Sequence, residues 1–328
     1  MKILITGATG FIGSHLLQHL IDSPHERICL VRNCEKARQV EALGCKGVVG
    51  DVTDFNVLKR VMQDCDQVFH LANVYSMWLP DNYEFDRVNI LGTQNVMEAA
   101  LQCGVKRVVY LSTVAVFGSP DERPFHEKSI PGTELFSAYA RSKAKGDNIA
   151  WRFAERGVPM VVLYPGIVLG AGDKKPSGQY ILDLIRRRTP STIFHQSEAT
   201  YVYVRDVVQA ILAASQQPDA AGKKYLIGKE VLNGEQYADL ICTVAGVRRP
   251  PFRFPDWMVM TAAYLLTGLS SVIGRAPWWG LSIDAAWTLK KGFVFDGSLA
   301  ERELGLTYTP IQYALQEAVK SYNSVLGG

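Results

Sequence analysis

The chain of 328 residues has almost no charge of one sign in excess: 35 Lys and Arg stand against 32 Asp and Glu, a net of +3. A nucleic-acid footprint needs a clustered basic stripe, so no nucleic-acid partner is expected. Cysteine is sparse and unpatterned. The six thiols, at 29, 34, 45, 65, 103 and 242, contain no CxxC pair and no zinc-ligand spacing. That excludes a disulfide framework or a zinc knuckle as the basis of the fold, and no metal site is expected. The cysteines read as small core residues or free thiols of a reducing compartment. There is no internal repeat and no low-complexity tract. The first residues, MKILIT, already read as a strand, so no signal peptide is expected and the cytoplasm is the expected compartment.

Charge is also missing locally. From Trp257 to Gly274 (WMVMTAAYLLTGLSSVIG) there is none. The stretch is at the short limit of a membrane span and carries two glycines and four serines or threonines, which argues against crossing. A buried or substrate-lining helix is the expectation. Peripheral membrane contact through Trp278 and Trp279 is the alternative.

Present in quantity are apolar residues, 48% of the chain, with 20% charged, enough for a sizeable core. The first half alternates strand-like and helix-like runs. KILIT (2–6), RICLV (27–31), KGVVG (46–50), QVFHLA (67–72), RVVYLS (107–112) and PMVVLYP (159–165) read as strands. Residues 12–21, 35–43, 54–63, 84–102 and 139–155 read as helices, the second ending at Gly44 and the third capped by Asp54. Near-continuous apolar strands alternating with helices imply an α/β chain with a Rossmann-type, doubly wound parallel sheet. Ligands of such sheets bind at the carboxyl ends of the strands. After residue 169 the alternation stops. ILDLIRRR reads as helical and ATYVYVRDVVQAILAA as a strand turning into a helix. The expected division is a dinucleotide-binding domain over 1–168 and a smaller mixed substrate region over 169–328, some of which returns to the first domain's core.

TGATGFIG places Gly7, Gly10 and Gly13 at intervals of three, between the first strand and the first helix. A tight turn and the close approach of a pyrophosphate both favour residues without Cβ. The helix N-terminus then offers free N–H groups and its positive dipole end. In this context the loop reads as a dinucleotide site, with Thr9, Phe11 and Ile12 in the same turn. Downstream, SAYARSK sets Tyr139 and Lys143 four apart, on one face of a helix. A free phenol, with a pKa of about 10, is a poor acid–base near neutrality. A neighbouring ammonium favours the phenolate and is expected to lower that value.

TGATGFIG, GDVTD, FHLAN, NILGTQN, YLSTVAVFG, YARSK and YPGIVLG occur here in that order. With these pieces the chain resembles the extended short-chain dehydrogenase/reductases of the NAD-dependent epimerase/dehydratase superfamily, and within them the dihydroflavonol-reductase-like and 3β-hydroxysteroid-dehydrogenase-like branch. The resemblance is strongest over 1–170 and weak over 230–328. It implies that Tyr139 is the acid–base, that Lys143 also binds the nicotinamide ribose, and that Thr113 holds the substrate oxygen, with Ser112 as second choice. It implies that Asn89 helps hold the active-site backbone and a relay water; the plain alternative is a helix-surface amide. Asp51, with Val52, resembles the adenine contact. Leu71, Ala72 and Asn73 resemble the segment beside the cofactor ribose, largely through backbone, and Tyr164, Pro165 and Gly166 the segment that touches the nicotinamide end, mostly through backbone atoms. His70 reads as a satisfied core histidine. A homodimer is implied by resemblance only.

Where an acid would favour NAD at the end of the second strand, this chain has Arg32 and Asn33, with Lys36 one turn on. A guanidinium suits a 2′-phosphate, so NADP(H) is the expected cofactor and NAD(H) the alternative. The substrate is less legible. Nucleotide-sugar enzymes of this superfamily carry an arginine before the strand written here as YVYV, where this chain has Glu198, Ala199 and Thr200. Arg186 to Arg188 are a candidate replacement, though such a run is ordinarily a solvated face. Tyr75 and Trp78 are candidate substrate contacts. Trp257, Met258, Met260, Tyr264, Trp278, Trp279 and Trp287 are a candidate apolar lining. The expected partner is a small molecule, and the expected activity is hydride transfer between NADP(H) and an apolar ketone or secondary alcohol. The rivals are a sugar or sugar-nucleotide epimerase and a non-catalytic redox sensor.

Overall fold

In the computed structural model of the chain, residues 1–326 are described, with side chains to residue 323. The first half runs β1 (Lys2–Thr6), α1 (Phe11–His19), β2 (Glu26–Val31), α2 (Cys34–Glu41), β3 (Lys46–Val49), α3 (Phe55–Met62) and β4 (Gln67–His70). Then follow α4 (Tyr83–Phe85), a π-helical segment (Asp86–Gly92), α5 (Thr93–Gln102), β5 (Arg107–Leu111), α6 (Ala138–Glu155) and β6 (Met160–Pro165). Asp54 caps α3 as expected, its side chain accepting from Val57 N at 3.1 Å. The helix expected over 84–102 is continuous, but its first half is π-helical.

The second half contains β7 (Ile167–Leu169), α7 (Pro176–Ile185), β8 (Ser191–Thr192), β9 (Glu198–Tyr203), α8 (Val204–Gln216), β10 (Lys224–Ile227), β11 (Glu230–Asn233) and α9 (Gly234–Ala245). It ends with β12 (Phe252–Arg253), α10 (Asp256–Ile273), α11 (Ile283–Lys291), α12 (Ser298–Leu304) and α13 (Ile311–Leu326). The helix expected from ILDLIRRR stops at Ile185; Arg186 leaves helical geometry and Arg187 takes a positive φ of 53°.

Seven strands form one parallel sheet in the order β10-β6-β5-β4-β1-β2-β3. The order reverses between β1 and β4, which opens a crevice at their carboxyl ends. The strand period of two sends alternate residues to opposite faces. Leu4, Leu30, Val68 and Val108 pack under α3, α5 and α6. Ile3, Ile5, Val31 and Phe69 pack under α1, α2 and α8. Both faces are therefore apolar, as the unbroken strand runs imply. β10 lies in this main sheet beside β6. A second sheet, β11-β9-β7, packs with α7, α9 and α13.

The charge-free segment corrects one expectation. α10 buries only Val259, Met260, Ala263 and Ser270. Trp257, Met258, Tyr264, Leu265, Leu269, Val272, Ile273, Trp278 and Trp279 are exposed. An unbroken apolar run gives no period with which to tell a buried helix from a half-covered one.

Candidate active site

At the carboxyl edge of the sheet lies an open cleft of about 820 Å³. Its floor is the β1–α1 turn. Gly7 has φ +76°, and a Cβ there would lie 2.6 Å from the backbone of Leu71 and Ala72. A Cβ on Gly13 would lie 2.2 Å from Gly7 O. These two glycines are thus required by the protein's own packing. Gly10 is different. Its φ of −79° is ordinary, and a Cβ would meet only Gly7 O, at 3.1 Å. No side chain caps α1, and its first turn has no acid. The helix therefore presents its N–H groups and dipole to the cleft over a bare glycine, a cradle suited to a pyrophosphate. Gly10→Ala should weaken dinucleotide binding by about tenfold or more and hardly move thermal unfolding, as read by fluorescence titration with NADPH. Wild-type affinity in that variant would displace the phosphates from this turn.

The cleft also receives Thr9, Phe11, Ile12, Arg32, Lys36, Asp51, Val52, Leu71, Ala72, Asn73, Pro165 and Gly166. Arg32 and Lys36 take no ion pair among the described residues. Asp51 accepts from both Thr53 N and Thr53 Oγ1 at 2.9 Å. Three expected cofactor residues lie elsewhere. Asn33 spends its side-chain oxygen on Lys36 N at 2.9 Å, as the N-cap of α2. Tyr164 turns its ring to Phe117 and accepts from Trp151 Nε1 at 3.3 Å, because strand alternation sends it to the other face. Lys143 is buried beneath the cleft wall.

Tyr139 and Lys143 lie on α6, whose N-cap Ser137 accepts from Ala140 N at 3.0 Å. Tyr139 reaches the cleft, as do Ser112 and Thr113 at the end of β5. Its ring meets Tyr75 edge-on at 4.9 Å between centroids. Burial pushes the phenol's pKa up, with Tyr75 adding to the shift and the Thr113 hydroxyl opposing it. The expected lowering by Lys143 is therefore not realised. That ammonium donates instead to Tyr110 Oη at 2.9 Å and Leu111 O at 3.1 Å. Burial brings Lys143 down to about 8, against the opposing pull of Asp147.

Asp147 is the residue that sequence reading missed, although it stands four places beyond Lys143 on the same helix face. It is buried, and its Oδ1 accepts from Ser112 Oγ at 2.7 Å. Its Oδ2 has no well-formed bond, while the Tyr110 and Tyr164 hydroxyls stand close enough to favour its charged form. Burial raises its pKa against these contacts and against Lys143. Ser112 is thus committed to Asp147, whereas the Thr113 hydroxyl, which accepts from Ala115 N at 3.3 Å, stands close enough to Tyr139 to favour its phenolate. His70 is the satisfied core residue expected: Nδ1 pairs with Thr6 Oγ1 at 2.8 Å, and burial lowers it to about 3.

Asn89 is 1% exposed, which overturns the helix-surface alternative. Its Oδ1 accepts from Val74 N at 2.8 Å, and its Nδ2 donates to Val74 O and to Ser142 Oγ at 2.9 Å. The amide ties the loop after β4 to the Tyr139 helix from inside the π-helical segment, a geometry frequent at functional sites.

The substrate side needs correction too. Tyr75 lines the cleft, but Trp78 does not; nor do Arg186 to Arg188, nor any of the seven Trp, Met and Tyr residues of 257–287. The apolar wall comes from Val74, Met77, Leu79, Ile167, Val168 and Phe293. Lys174 and Lys175, in a stretch legible only as a loop, also border the cleft, and Lys175 Nζ donates to Tyr75 O at 3.5 Å.

The sequence pattern of the NAD dependent epimerase/dehydratase family matches residues 3–228. A Synechocystis sp. protein assigned by name as a dihydroflavonol 4-reductase is 31% identical, over 96% of this chain and 92% of its own. Sterol demethylase protein B of Methylococcus capsulatus is 27% identical over 97% of both. The solved structure of gox2253 superposes with a TM-score of 0.83 at 27% identity, covering 99% of this chain and 98% of that one. These relatives match this chain along nearly its whole length. The chain belongs to the NAD-dependent epimerase/dehydratase family and is an NAD(P)-dependent oxidoreductase of the extended short-chain type.

Proposed function

We propose that the protein is an NADP(H)-dependent reductase of an apolar, medium-sized ketone, or in reverse a dehydrogenase of the secondary alcohol. The observation that carries this is that Tyr139 and Thr113 line one cleft with the glycine turn and with the apolar residues Val74, Met77, Leu79 and Phe293. When bound, the dinucleotide supplies the hydride. The chain's own residues hold the carbonyl and its proton. Thr113 Oγ1 donates to the substrate oxygen. Tyr139, kept a neutral phenol by burial, is an O–H donor at neutral pH and gives its proton to that oxygen as negative charge develops. Asn89 holds the loop that carries the apolar wall. The relative named for a sterol demethylase supports an apolar substrate.

The test is NADPH consumption, followed by absorbance, across ketones of rising apolar size and a set of nucleotide sugars. Net oxidation with the apolar ketones is expected. Tightly retained cofactor with isomerisation of a nucleotide sugar and no net consumption would overturn the reading. Arg32 and Lys36 support the NADP(H) preference. Arg32→Asp should lower the NADPH-over-NADH ratio of kcat/KM by about ten- to a hundredfold, the worth of one charge-assisted contact. An unchanged ratio would remove Arg32 from the 2′-phosphate.

A further inference from the structure

Among the described residues, nineteen large apolar side chains stand exposed, and eleven of them fall between Phe252 and Leu289. Soluble monomers rarely gather their exposed apolar surface in this way. Leu265 is 70% exposed, Val272 85%, Trp278 66% and Trp279 69%. We infer that the outer face of α10, with the Trp278–Gly280 turn that follows it, docks on the surface of an anionic lipid bilayer.

By length and composition α10 could cross a membrane, but its inner stripe is already taken. Val259, Met260 and Ala263 pack on Phe194 and Ala286, with Trp287 against them. Thr267 Oγ1 accepts from Ile283 N at 2.9 Å, and Ser282 Oγ donates to Met77 O at 2.6 Å. These contacts hold the helix along the protein, so it lies in the interface with its outer face sunk among the acyl chains. Trp257 at one end and Trp278 and Trp279 beyond the other are the residue type that settles at headgroup depth.

The fringe of this face is basic. Arg275 follows the helix, and Phe252–Arg253, which lead into it, pair with Ser191–Thr192, which follow Arg186, Arg187 and Arg188. These three, with Arg248 and Arg275, make no ion pair among the described residues. Arg249 and Arg253, by contrast, are paired with Asp239 and Glu235. Asp256 is the only acid from Phe252 to Ile283. A fringe with five unpaired arginines and a net positive charge around an apolar face complements anionic headgroups. A second copy of the chain, joined by a two-fold axis through this face, would bring arginine against arginine. The face also adjoins the cleft: Met77, held by Ser282, and Thr288 of α11 both line it. A molecule dissolved in the bilayer would therefore reach the cleft along the docked edge. Docking rests on the surface alone and stands whether or not the proposed ketone reduction does.

The full chain should co-sediment with phosphatidylcholine vesicles doped with phosphatidylglycerol and much less with phosphatidylcholine alone. Raised salt should weaken the binding. Replacing Leu265 and Val272 by Gln and Trp278 and Trp279 by Ser should lower partitioning on the order of a hundredfold or more. NADPH affinity and thermal unfolding should stay as in the wild type, since none of the four lines the cleft. Replacing Arg186, Arg187, Arg188 and Arg248 by Gln should erase the preference for doped vesicles. Three results would each overturn the inference. One is no vesicle binding by the wild type. Another is binding untouched by the apolar substitutions. The third is a vesicle-free dimer that those substitutions turn into monomer, which would assign the face to a second copy.

Discussion

Tyr139→Phe is expected to lower kcat by about 10²- to 10⁴-fold, the usual worth of a positioned proton donor. The ring would stay where it is. It meets Tyr75 edge-on at 4.9 Å and Phe85 at 6.4 Å between centroids, contacts a phenylalanine keeps. Thermal unfolding and NADPH affinity should therefore remain near wild type while turnover is lost. Burial keeps the Tyr139 hydroxyl protonated and so an O–H donor, and a phenol is intrinsically a stronger acid than the alkyl alcohol of Thr113, which holds the oxygen. Turnover within about tenfold of wild type, measured with the best ketone of the panel, would place proton donation elsewhere.

Asp147→Asn is expected to change how the protein responds to alkali. Lys143 is buried and titrates near 8, against an ordinary 10.5. A lysine depressed in this way costs stability while it is charged in the folded state. The cost is full below about pH 8. It is relieved between pH 8 and 10.5, where the unfolded chain binds a proton that the folded chain does not. Unfolding free energy should therefore gain from this group as pH rises through that window, by about 3 kcal/mol at most. Asp147 is the neighbour that props Lys143 up. Asparagine keeps the shape and an acceptor for Ser112 Oγ but removes the charge. The lower edge of the window should then move down by about one to three pH units, the effect of losing one nearby opposite charge. Lys143→Met should remove this group's contribution to the slope. Denaturant unfolding measured across pH is the readout. Superimposable profiles for wild type and Asp147→Asn would show that the carboxylate does not govern the ammonium.

The parts of the site that could be read from the chain are those whose chemistry sits in local spacing. Gly7 and Gly13 lack Cβ because the turn between β1 and α1 leaves no room for one, and Gly10, three from each, leaves the helix N-terminus bare. Tyr139 and Lys143 are four apart because a helix face repeats there. Asp147 obeys the same rule and was legible, but a lone acid mid-helix carries no signal until Ser112 is seen against it. Asn33 and Tyr164 sit in the right segments, yet their side chains turn away, one to cap a helix and one to the opposite face of the sheet. The apolar wall is formed not by the Trp, Met and Tyr residues of 257–287 but by the loop after β4, the strand after β6 and Phe293.

The order of strands and helices in the first half, the doubly wound sheet and the dinucleotide turn all follow from apolar period and glycine position, which are properties of neighbours along the chain. Two things depended on parts of the chain far apart in sequence. One is the direction of the Lys143 ammonium, drawn to Tyr110 and Leu111 on β5 because these are the acceptors within reach once α6 packs on the sheet. The other is the exposure of α10. An eighteen-residue run without charge is compatible with a core helix, a span or a surface. Only the packing of α11 against one stripe, with nothing among the described residues covering the other, separates them. Local patterning fixes which elements form; which of their faces is covered depends on what arrives from elsewhere in the chain.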